Sequence, residues 1–271
     1  MAQLSMNEMT TYRWSFEEDV IHYRAAGIGA IGVWRQKLAD YGEERGIELL
    51  AESGLEVSNL LWAGGFTGSD GHSYRESIKD AADAIRTAAA LRAGCLVVYS
   101  GPRNGHTQKH ARRLFLDALA ELVPLATQHQ VTLAIEPMHV GYAAEWTFLT
   151  DLDEALALVD SFNSPHLKLA FDTYHLGHDP HVIDRIGQLC RQIAVVHLGD
   201  SKRPPDHEQH RQRLGEGILP LAEMVAALTD AGYEGYYDVE LVGEELEACC
   251  YKQLIDTSRR AFEELVGARA V

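Results

Sequence analysis

Four short apolar stretches, each with one ionisable residue near its end, decide the fold of this chain: LAIEP (133–137), LAFDTYH (169–175), VVHLGDSKR (195–203) and YYDVEL (236–241). A loop and then a helical pattern follow each stretch. Near-continuous apolar strands that alternate with helices predict a parallel sheet that is covered on both faces. We therefore predict that this part of the chain consists of consecutive β-α units.

The same alternation extends to the N-terminal half, so that eight strands are predicted. The strands are Leu4–Met9, Ile28–Trp34, Leu55–Trp62, Cys95–Ser100, Val131–Glu136, Leu167–Asp172, Ala194–Leu198 and Tyr236–Leu241. The helices are Ser15–Ala26, Tyr41–Ser53, Tyr74–Leu91, Thr107–His129, Asp151–Phe162, Val182–Gln192, one that has Pro220 in its first turn and ends before Gly232, and Glu247–Leu265. Eight units within 271 residues favour a closed barrel over an open doubly wound sheet. We predict an α/β fold, a single (β/α)8 TIM-barrel domain over residues 1–271.

The composition excludes several classes of function. Hydrophobic residues make up 46% of the chain and charged residues 24%, as in an ordinary globular enzyme. The net charge of −16 argues against a nucleic-acid partner and against attraction to anionic membranes, because phosphate binding needs a basic surface. No apolar run reaches about 18 residues, which argues against a transmembrane helix.

The cysteines and the N-terminus indicate a cytoplasmic protein. Cys95, Cys190, Cys249 and Cys250 show no CxxC spacing, so we interpret them as reduced thiols and not as a zinc site. The first residues lack the basic and apolar regions of a signal peptide. The sequence leaves open whether the chain forms a homo-oligomer.

The ionisable residues of the four opening stretches are Glu136, Asp172, His197 and Glu240. Each alone is typical of a helix cap, an ion pair or a hydrogen-bonded core histidine. In a (β/α)8 barrel, however, the C-terminal ends of the strands converge on one face. Clustered acids there would repel each other unless a cation compensates them. We predict that they bind one divalent ion, with Mn²⁺, Mg²⁺ or Co²⁺ favoured and Zn²⁺ as the alternative.

This cluster predicts metal-assisted proton transfer on a sugar. A divalent ion can hold two adjacent sugar oxygens and polarise a carbonyl, so that the neighbouring C–H bond becomes acidic. Glu136 and Glu240, on strands five and eight, would flank the substrate as the acid–base pair. If the proton is removed and then returned, the protein is an isomerase or epimerase that acts through a metal-stabilised enediolate. If a β-substituent leaves instead, the protein is a lyase or dehydratase.

Several neighbouring residues are candidates for substrate binding. His175 lies three residues beyond Asp172 and is either a solvated loop histidine or a donor to a substrate oxygen. Arg203 lies six residues beyond His197 and is either a surface arginine or a clamp for substrate oxygens. The aromatic residues near strand ends and in rim loops either pack loops or stack on a sugar, and they are Trp34, Trp62, Tyr142 and Trp146.

Three connections on the same face are longer than packing requires, namely Phe66–Ser73, Met138–Thr150 and Ser201–Leu219. Long loops at this position usually cover a substrate. The third connection contains His207 and His210, which a second metal could use, although histidine-rich loops are more often simply solvated.

These motifs resemble the xylose-isomerase-like (AP endonuclease family 2) TIM-barrel superfamily, and within it the sugar isomerase and epimerase branch of ketose 3-epimerases and inosose dehydratases. LAIEP is similar to the strand-five glutamate motif, and Asp172 with His175 is similar to the strand-six D-x-x-H motif. His197 with Arg203 resembles the strand-seven motif of ketose 3-epimerases, and Glu240 resembles the strand-eight glutamate. The resemblance implies that the four ionisable residues bind one Mn²⁺, Mg²⁺ or Co²⁺ and that the two glutamates form the acid–base pair.

The chain also departs from some of these relatives. Strands two and three end in Trp34 and Trp62, where endonuclease IV has histidines for its trinuclear zinc site. Tyr142 stands near the place of a further substrate-binding glutamate of the ketose epimerases. The leading hypothesis is a metal-dependent isomerase or epimerase of a ketose or oxo-sugar. The alternatives are a lyase or dehydratase of an oxo-sugar, inosose or 3-oxo-glycoside, a non-catalytic subunit that binds a sugar or a partner protein, and a zinc phosphoesterase.

Overall fold

The predicted strands close into a barrel in the computed structural model, which describes residues 2–68 and 71–267. The strands in these residues are β1 (Gln3–Asn7), β2 (Ala30–Trp34), β3 (Glu56–Gly64), β4 (Leu96–Tyr99), β5 (Leu133–Ile135), β6 (Leu167–Asp172), β7 (Ile193–Leu198), β8 (Asp200–Ser201), β9 (Arg211–Gln212) and β10 (Tyr236–Val239). Around the barrel the order is β1-β10-β7-β6-β5-β4-β3-β2, and neighbouring strands run parallel. The predicted (β/α)8 barrel is confirmed. The two short strands β8 and β9 form a separate antiparallel ribbon that was not predicted.

The longer helices surround the barrel and lie close to their predicted positions. The described α-helices are α1 (Phe16–Ala25), α2 (Arg35–Tyr41), α3 (Glu43–Ser53), α4 (Tyr74–Leu91), α5 (Gln108–His129), α6 (Leu152–Phe162), α7 (Thr173–Leu176), α8 (Val182–Leu189), α9 (Leu221–Asp230), α10 (Glu244–Glu247) and α11 (Tyr251–Gly267). Two 3₁₀ helices span Ala143–Glu145 and Cys190–Gln192. The unpredicted helices are the short α2, α7 and α10, which follow the ends of β2, β6 and β10.

Side-chain caps fix where α1 and α4 begin. The predicted capping box of α1 is present, since Glu18 N–H donates to Ser15 Oγ over 3.3 Å and Glu18 Oε2 accepts from Ser15 N–H over 2.8 Å. Ser73 and Glu76 form the same arrangement at α4. Gly42, with a φ of 103°, ends α2 just before α3 begins, and glycine adopts that backbone without strain.

Residues of the barrel strands alternate between the barrel interior and the layer of helices. Cys95 and Val97 pack with Ala134 in a cluster inside the barrel. Leu96 and Val98 belong to the larger core between the barrel and the helices. Because both faces of a strand are buried, apolar residues occur at consecutive positions, which explains the near-continuous apolar runs of the sequence.

A buried carboxylate inside the barrel links several strands by hydrogen bonds. Asp238 of β10 accepts hydrogen bonds from Asn7 Nδ2 over 2.7 Å and from Asn59 Nδ2 over 2.8 Å. Gly32 of β2 pairs in register with both asparagines and leaves the space for this carboxylate. A Cβ atom at position 32 would lie 2.3 Å from Asp238 Oδ2, so a side chain there would collide with it.

The connection predicted at Phe66–Ser73 includes residues 69 and 70, which lie outside the described residues. Among the helices that are described, none combines the length and the apolar character that crossing a bilayer requires.

Candidate metal centre

The four predicted metal ligands lie together at the C-terminal mouth of the barrel. Asp172 and His197 occupy paired register positions near the ends of β6 and β7. Glu136 directly follows β5, and Glu240 directly follows β10. All four are buried, and one potential ligand atom from each lies within 4.8 Å of the others. The strands position them, because parallel strands of a barrel end at one rim.

The imidazole of His197 faces two carboxylates of this cluster. His197 Nδ1 lies 3.1 Å from Glu136 Oε1 and 3.1 Å from Glu240 Oε2. Asp172 is oriented by the backbone, because its Oδ1 accepts a hydrogen bond of 2.7 Å from the N–H of Tyr174. No described residue forms a hydrogen bond with His197 Nε2. The polar atoms that face each other in the cluster are thus an imidazole nitrogen and carboxylate oxygens.

Arg211 of β9 is a further charged residue at the cluster, and it was not predicted. Its buried guanidinium donates to Asp172 Oδ2 over 2.7 Å and to the backbone carbonyl of Glu240 over 3.1 Å. It also lies 4.4 Å from the centroid of the Tyr174 ring. The ribbon of β8 and β9 carries this residue back to the mouth of the barrel. Sequence alone gives little signal for it, since three arginines occur in the same polar loop.

Arg203, the arginine that was predicted as a substrate clamp, lies elsewhere in this loop. Its guanidinium contacts His210 Nε2 at 2.9 Å and Asp206 Oδ2 at 3.3 Å, and 59% of its side chain is exposed. These contacts are with rim-loop residues and not with the four ligands, and the role of Arg203 as a substrate clamp stays a prediction. Glu208, Asp206 and His210 do lie close together. The adjacent guanidinium disfavours a cation there, and no second metal is proposed.

Three groups of the cluster have shifted pKa values. Burial raises the pKa of Asp172, but Arg211 and two nearby histidines outweigh burial and bring it to about 2. Burial lowers the pKa of His197, but its hydrogen bond to Glu136 and the charge of Glu240 raise it to about 10. Burial raises the pKa of Glu240 to about 7, against the lowering effect of Arg211. Near neutral pH an imidazolium therefore compensates the carboxylates.

A divalent ion fits this site by charge and by donor chemistry. The carboxylates of Glu136, Asp172 and Glu240 carry three negative charges when all are ionised. Arg211 and a divalent ion together supply three positive charges, which makes the buried group neutral once His197 has lost its proton. Carboxylate oxygens with one imidazole suit Mn²⁺, Mg²⁺ and Co²⁺, and zinc is compatible with them.

Metal binding should therefore release protons and strengthen as the pH rises. Above pH 7 the affinity for Mn²⁺ should increase about tenfold per pH unit, because His197, with a pKa of about 10, must lose one proton. Below pH 7 the dependence should steepen, because Glu240, with a pKa of about 7, then also carries a proton. Calorimetric titration in buffers of different ionisation enthalpy measures both the affinity and the protons released. An affinity that is constant from pH 6 to pH 8.5 would contradict these assignments.

His175, a predicted substrate-binding residue, is buried beside the cluster. Its Nε2 lies 3.8 Å from Asp172 Oδ2, and its ring stacks on Tyr142 with centroids 5.5 Å apart. Burial lowers its pKa to about 4, so the imidazole is neutral at physiological pH. No described residue forms a hydrogen bond with its Nδ1. A neutral ring of this kind can donate to or accept from a substrate oxygen.

Partly exposed aromatic rings line the other half of the barrel mouth. We call this set the aromatic arc, and its members in order are Tyr12, Trp34, Trp62, Trp146 and Tyr99. Successive ring centroids lie 5.4, 6.4, 5.6 and 6.1 Å apart. Its three tryptophans were predicted as candidates for substrate binding, and its two tyrosines were not. The metal ligands lie at the ends of β5, β6, β7 and β10 or directly after them, whereas the arc lies at the ends of β2, β3 and β4 and in the loops after β1 and β5.

Known proteins resemble this chain in sequence and in fold. The family model for the xylose isomerase-like TIM barrel matches residues 22–264. A D-psicose 3-epimerase of Enterocloster bolteae is 32% identical over 120 residues, which cover 43% of this chain and 36% of that protein. An inosose isomerase of Bacillus velezensis is 23% identical and covers 98% of this chain and 97% of its own length. The chain spans about a third to a half of the length of the first curated relatives that it matches.

Solved structures share the whole fold. Protein SMc04130 of Sinorhizobium meliloti 1021 has a TM-score of 0.90 at 28% identity and covers 97% of this chain and 98% of its own. The IOLI protein, whose structure contains a zinc atom, has a TM-score of 0.85 at 21% identity and covers 98% of both chains. The second comparison shows a common fold only.

Proposed function

This chain belongs to the xylose isomerase-like TIM-barrel family, and we propose that it is a divalent-metal-dependent isomerase or epimerase of a ketose or oxo-sugar. The observation that carries the proposal is the buried cluster of three carboxylates and one imidazole at the C-terminal mouth of the barrel. Relatives that are named as a sugar epimerase and an inosose isomerase support this class of reaction.

In this proposal one ion is held by Glu136, Asp172, His197 and Glu240. The ion is Mn²⁺, Mg²⁺ or Co²⁺, and the zinc atom of the IOLI structure keeps Zn²⁺ as the alternative. When bound, it supplies Lewis-acid polarisation of a substrate carbonyl. Arg211 holds Asp172 and the backbone of Glu240 in place, and its charge keeps Asp172 ionised.

The two glutamates move the proton in this proposal. Glu136 Oε1 and Glu240 Oε2 each lie 3.1 Å from the same ring nitrogen of His197. One carboxylate removes the proton from the carbon beside the carbonyl, and the other returns a proton to the opposite face. The pKa of Glu240, about 7, suits a group that both takes and gives a proton near neutral pH. The result is inversion at one carbon.

The substrate is held by the groups around the cluster. We propose that neutral His175 forms a hydrogen bond with a substrate oxygen. Tyr142, whose ring stacks on the ring of His175, would cover the sugar ring of the substrate. Trp34 and Trp62 provide the facing aromatic wall. In place of Arg203 we propose Arg211 as the cation of the site. Arg203 would then stabilise the loop through its contact with His210.

Proton exchange with solvent tests this function. Ketoses, inososes and 3-oxo-glycosides are incubated in D₂O with the Mn²⁺-loaded protein and analysed by mass spectrometry. A substrate should gain one deuterium at the carbon beside its carbonyl and change configuration there. Release of water or of an aglycone would instead identify a lyase or dehydratase. Turnover without solvent label and without an isotope effect at that carbon would overturn the proton-transfer mechanism.

The ligand set predicts the metal content of matched variants. The protein purified without chelator should contain about one divalent ion per chain, because four donors converge on one position. His197→Ala should lose most of this metal, whereas His210→Ala, a histidine of the rim loop, should keep it. Elemental analysis of the three proteins provides the measurement. Equal metal content in both variants would refute the assignment of His197 as a ligand.

The proposed enzyme is a single cytoplasmic domain that acts on a small molecule. We propose one domain over residues 1–271, because the barrel uses strands from Gln3 to Val239. We also place the protein in the cytoplasm, where the four free cysteines would remain reduced. Its partner is a small sugar or oxo-sugar.

A further inference from the structure

Three polar atoms in the interior of the barrel have no hydrogen-bond partner among the described residues. They are Nε2 of His197, Oδ1 of Asp238 and Oδ1 of Asn59. The three side chains are fully buried. A buried polar atom without a partner costs free energy, and native proteins rarely leave one unsatisfied. The three atoms therefore indicate a partner that they share.

The side chains that carry these atoms face one another. Asp238 of β10 and His197 of β7 are register partners on neighbouring strands, so their side chains lie on the same face of the sheet. That face is the interior, because Asp238 reaches Asn59 of β3, a strand that does not adjoin β10. Neighbouring strands are about 4.8 Å apart, a spacing over which one water molecule can join two paired side chains.

The carboxylate of Asp238 is oriented so that one oxygen is already used and the other is not. Its Oδ2 accepts hydrogen bonds from Asn7 Nδ2 over 2.7 Å and from Asn59 Nδ2 over 2.8 Å. The second of these bonds also fixes the amide of Asn59, with its nitrogen towards the carboxylate. Asp238 Oδ1 and Asn59 Oδ1 thus remain as two acceptors without a donor.

The hydrogen-bonding capacity of the three atoms matches that of one water molecule. A neutral His197 that binds an ion through Nδ1 carries its proton on Nε2, which then needs an acceptor. The oxygens of Asp238 and Asn59 each need a donor. A water molecule can accept from Nε2–H and donate to both oxygens. This makes three hydrogen bonds, about the usual number for a buried water.

We propose that one buried water molecule joins His197 Nε2 to Asp238 Oδ1 and Asn59 Oδ1, and that Asp238 is thereby a positioning residue of the metal centre. The water holds the proton of His197 on Nε2 and leaves the lone pair of Nδ1 to the ion. Outer hydrogen bonds of this kind fix the tautomer and the orientation of a histidine ligand. The role of Asp238 rests on the proposed function in one respect, the assignment of His197 as a ligand.

NMR of the Zn²⁺-loaded full chain, labelled with [¹⁵N]histidine, tests this inference. Long-range ¹⁵N–¹H spectra should show a metal-bound Nδ1 and a protonated Nε2 for His197, assigned by their absence in His197→Gln. Asp238→Asn replaces the charged acceptor by an amide, so the Nε2–H proton should move upfield as its hydrogen bond weakens. Competition with a chelator should show that this variant binds Zn²⁺ about 10–100-fold more weakly.

Asp19→Asn is the matched control, because Asp19 is an equally buried carboxylate whose hydrogen bonds go to Lys37 and Thr11 and not to the cluster. It should lower the stability but keep the Nε2–H resonance and the Zn²⁺ affinity of the parent protein. If Asp238→Asn does not fold, Asn59→Ala serves in its place. It removes the second acceptor and should shift the same proton upfield.

Three results would overturn the inference. They are an Nε2–H resonance that stays in place in both Asp238→Asn and Asn59→Ala, a shift of equal size in Asp19→Asn, and a His197 that binds Zn²⁺ through Nε2 or not at all. The outcome is separable from the proposed function. Deuterium incorporation into a substrate with an unmoved resonance refutes only the water link, whereas a moved resonance without deuterium incorporation refutes only the proton transfer.

Discussion

Glu240→Gln and Glu136→Gln should each lower the rate of deuterium incorporation into the substrate by about 10²–10⁴-fold, the usual contribution of a positioned acid or base. An amide retains an oxygen ligand of nearly the same shape but cannot take a proton from carbon. Both side chains face His197 Nδ1 at 3.1 Å, so the replacement should leave the geometry of the cluster close to that of the parent protein. Mass spectrometry of the product gives the rate, and elemental analysis gives the metal content.

The control for this experiment is Glu208→Gln, because Glu208 is an exposed glutamate of the rim loop. Glu208→Gln should incorporate deuterium into the substrate at the same rate as the parent protein. If either cluster variant kept its metal and still exchanged hydrogen at that rate, the corresponding glutamate would have no role in proton transfer.

Arg211→Met should lower the free energy of unfolding of the metal-free protein by about 3–5 kcal/mol, the usual cost of leaving a buried charge without its partner. Asp172 is fully buried and depends on this guanidinium, which lies 2.7 Å away. Denaturant titration at pH 7 measures the loss. Arg203→Met should change stability little, because the contacts of Arg203 lie on an exposed loop and are screened by solvent.

The pH dependence of this loss provides a second measurement. The pKa of Asp172 is about 2 in the folded protein, against an ordinary value of 3.8. The stabilisation by Arg211 is therefore fully present above about pH 4 and disappears as the pH falls towards 2. The difference between the parent protein and Arg211→Met should shrink over the same range. Equal stability losses for Arg203→Met and Arg211→Met at pH 7 would contradict the assigned roles.

The barrel was predictable because its signal is local. Each β-α unit contains an apolar strand, a turn and an amphipathic helix within a short segment, and capping residues such as Ser15 mark helix starts. The four ligand candidates were predictable for the same reason. A residue at the C-terminal end of a barrel strand points to the mouth wherever the strand lies in sequence.

The choice between Arg203 and Arg211 could not be made from the sequence. It depends on the ribbon of β8 and β9, whose strands have only two residues each and are too short to carry a periodic signal. The ribbon returns Arg211 to the mouth and leaves Arg203 with Asp206 and His210. Such a return is a tertiary contact between residues that a sequence pattern treats as one polar loop.

The aromatic arc was only partly predictable for a related reason. Trp34 and Trp62 stand at strand ends, where a large aromatic residue is conspicuous in the sequence. Tyr12 and Tyr99 look like ordinary rim residues until the stacking distances connect them to the tryptophans.

Gly32 and Asp238 can be exchanged for other residues in one order only. A side chain at position 32 collides with the carboxylate, at 2.3 Å, as long as Asp238 is present. A smaller residue at position 238 removes the collision, but it takes away the acceptor that Asn7 and Asn59 share. Asn59 Nδ2 keeps its hydrogen bond to Ser58 Oγ, whereas the buried Asn7 amide loses its acceptor, which costs about 1–3 kcal/mol. During divergence the aspartate must therefore be lost before the glycine, and that first step is itself unfavourable. The two residues, 206 positions apart in the chain, should therefore be conserved together in related proteins.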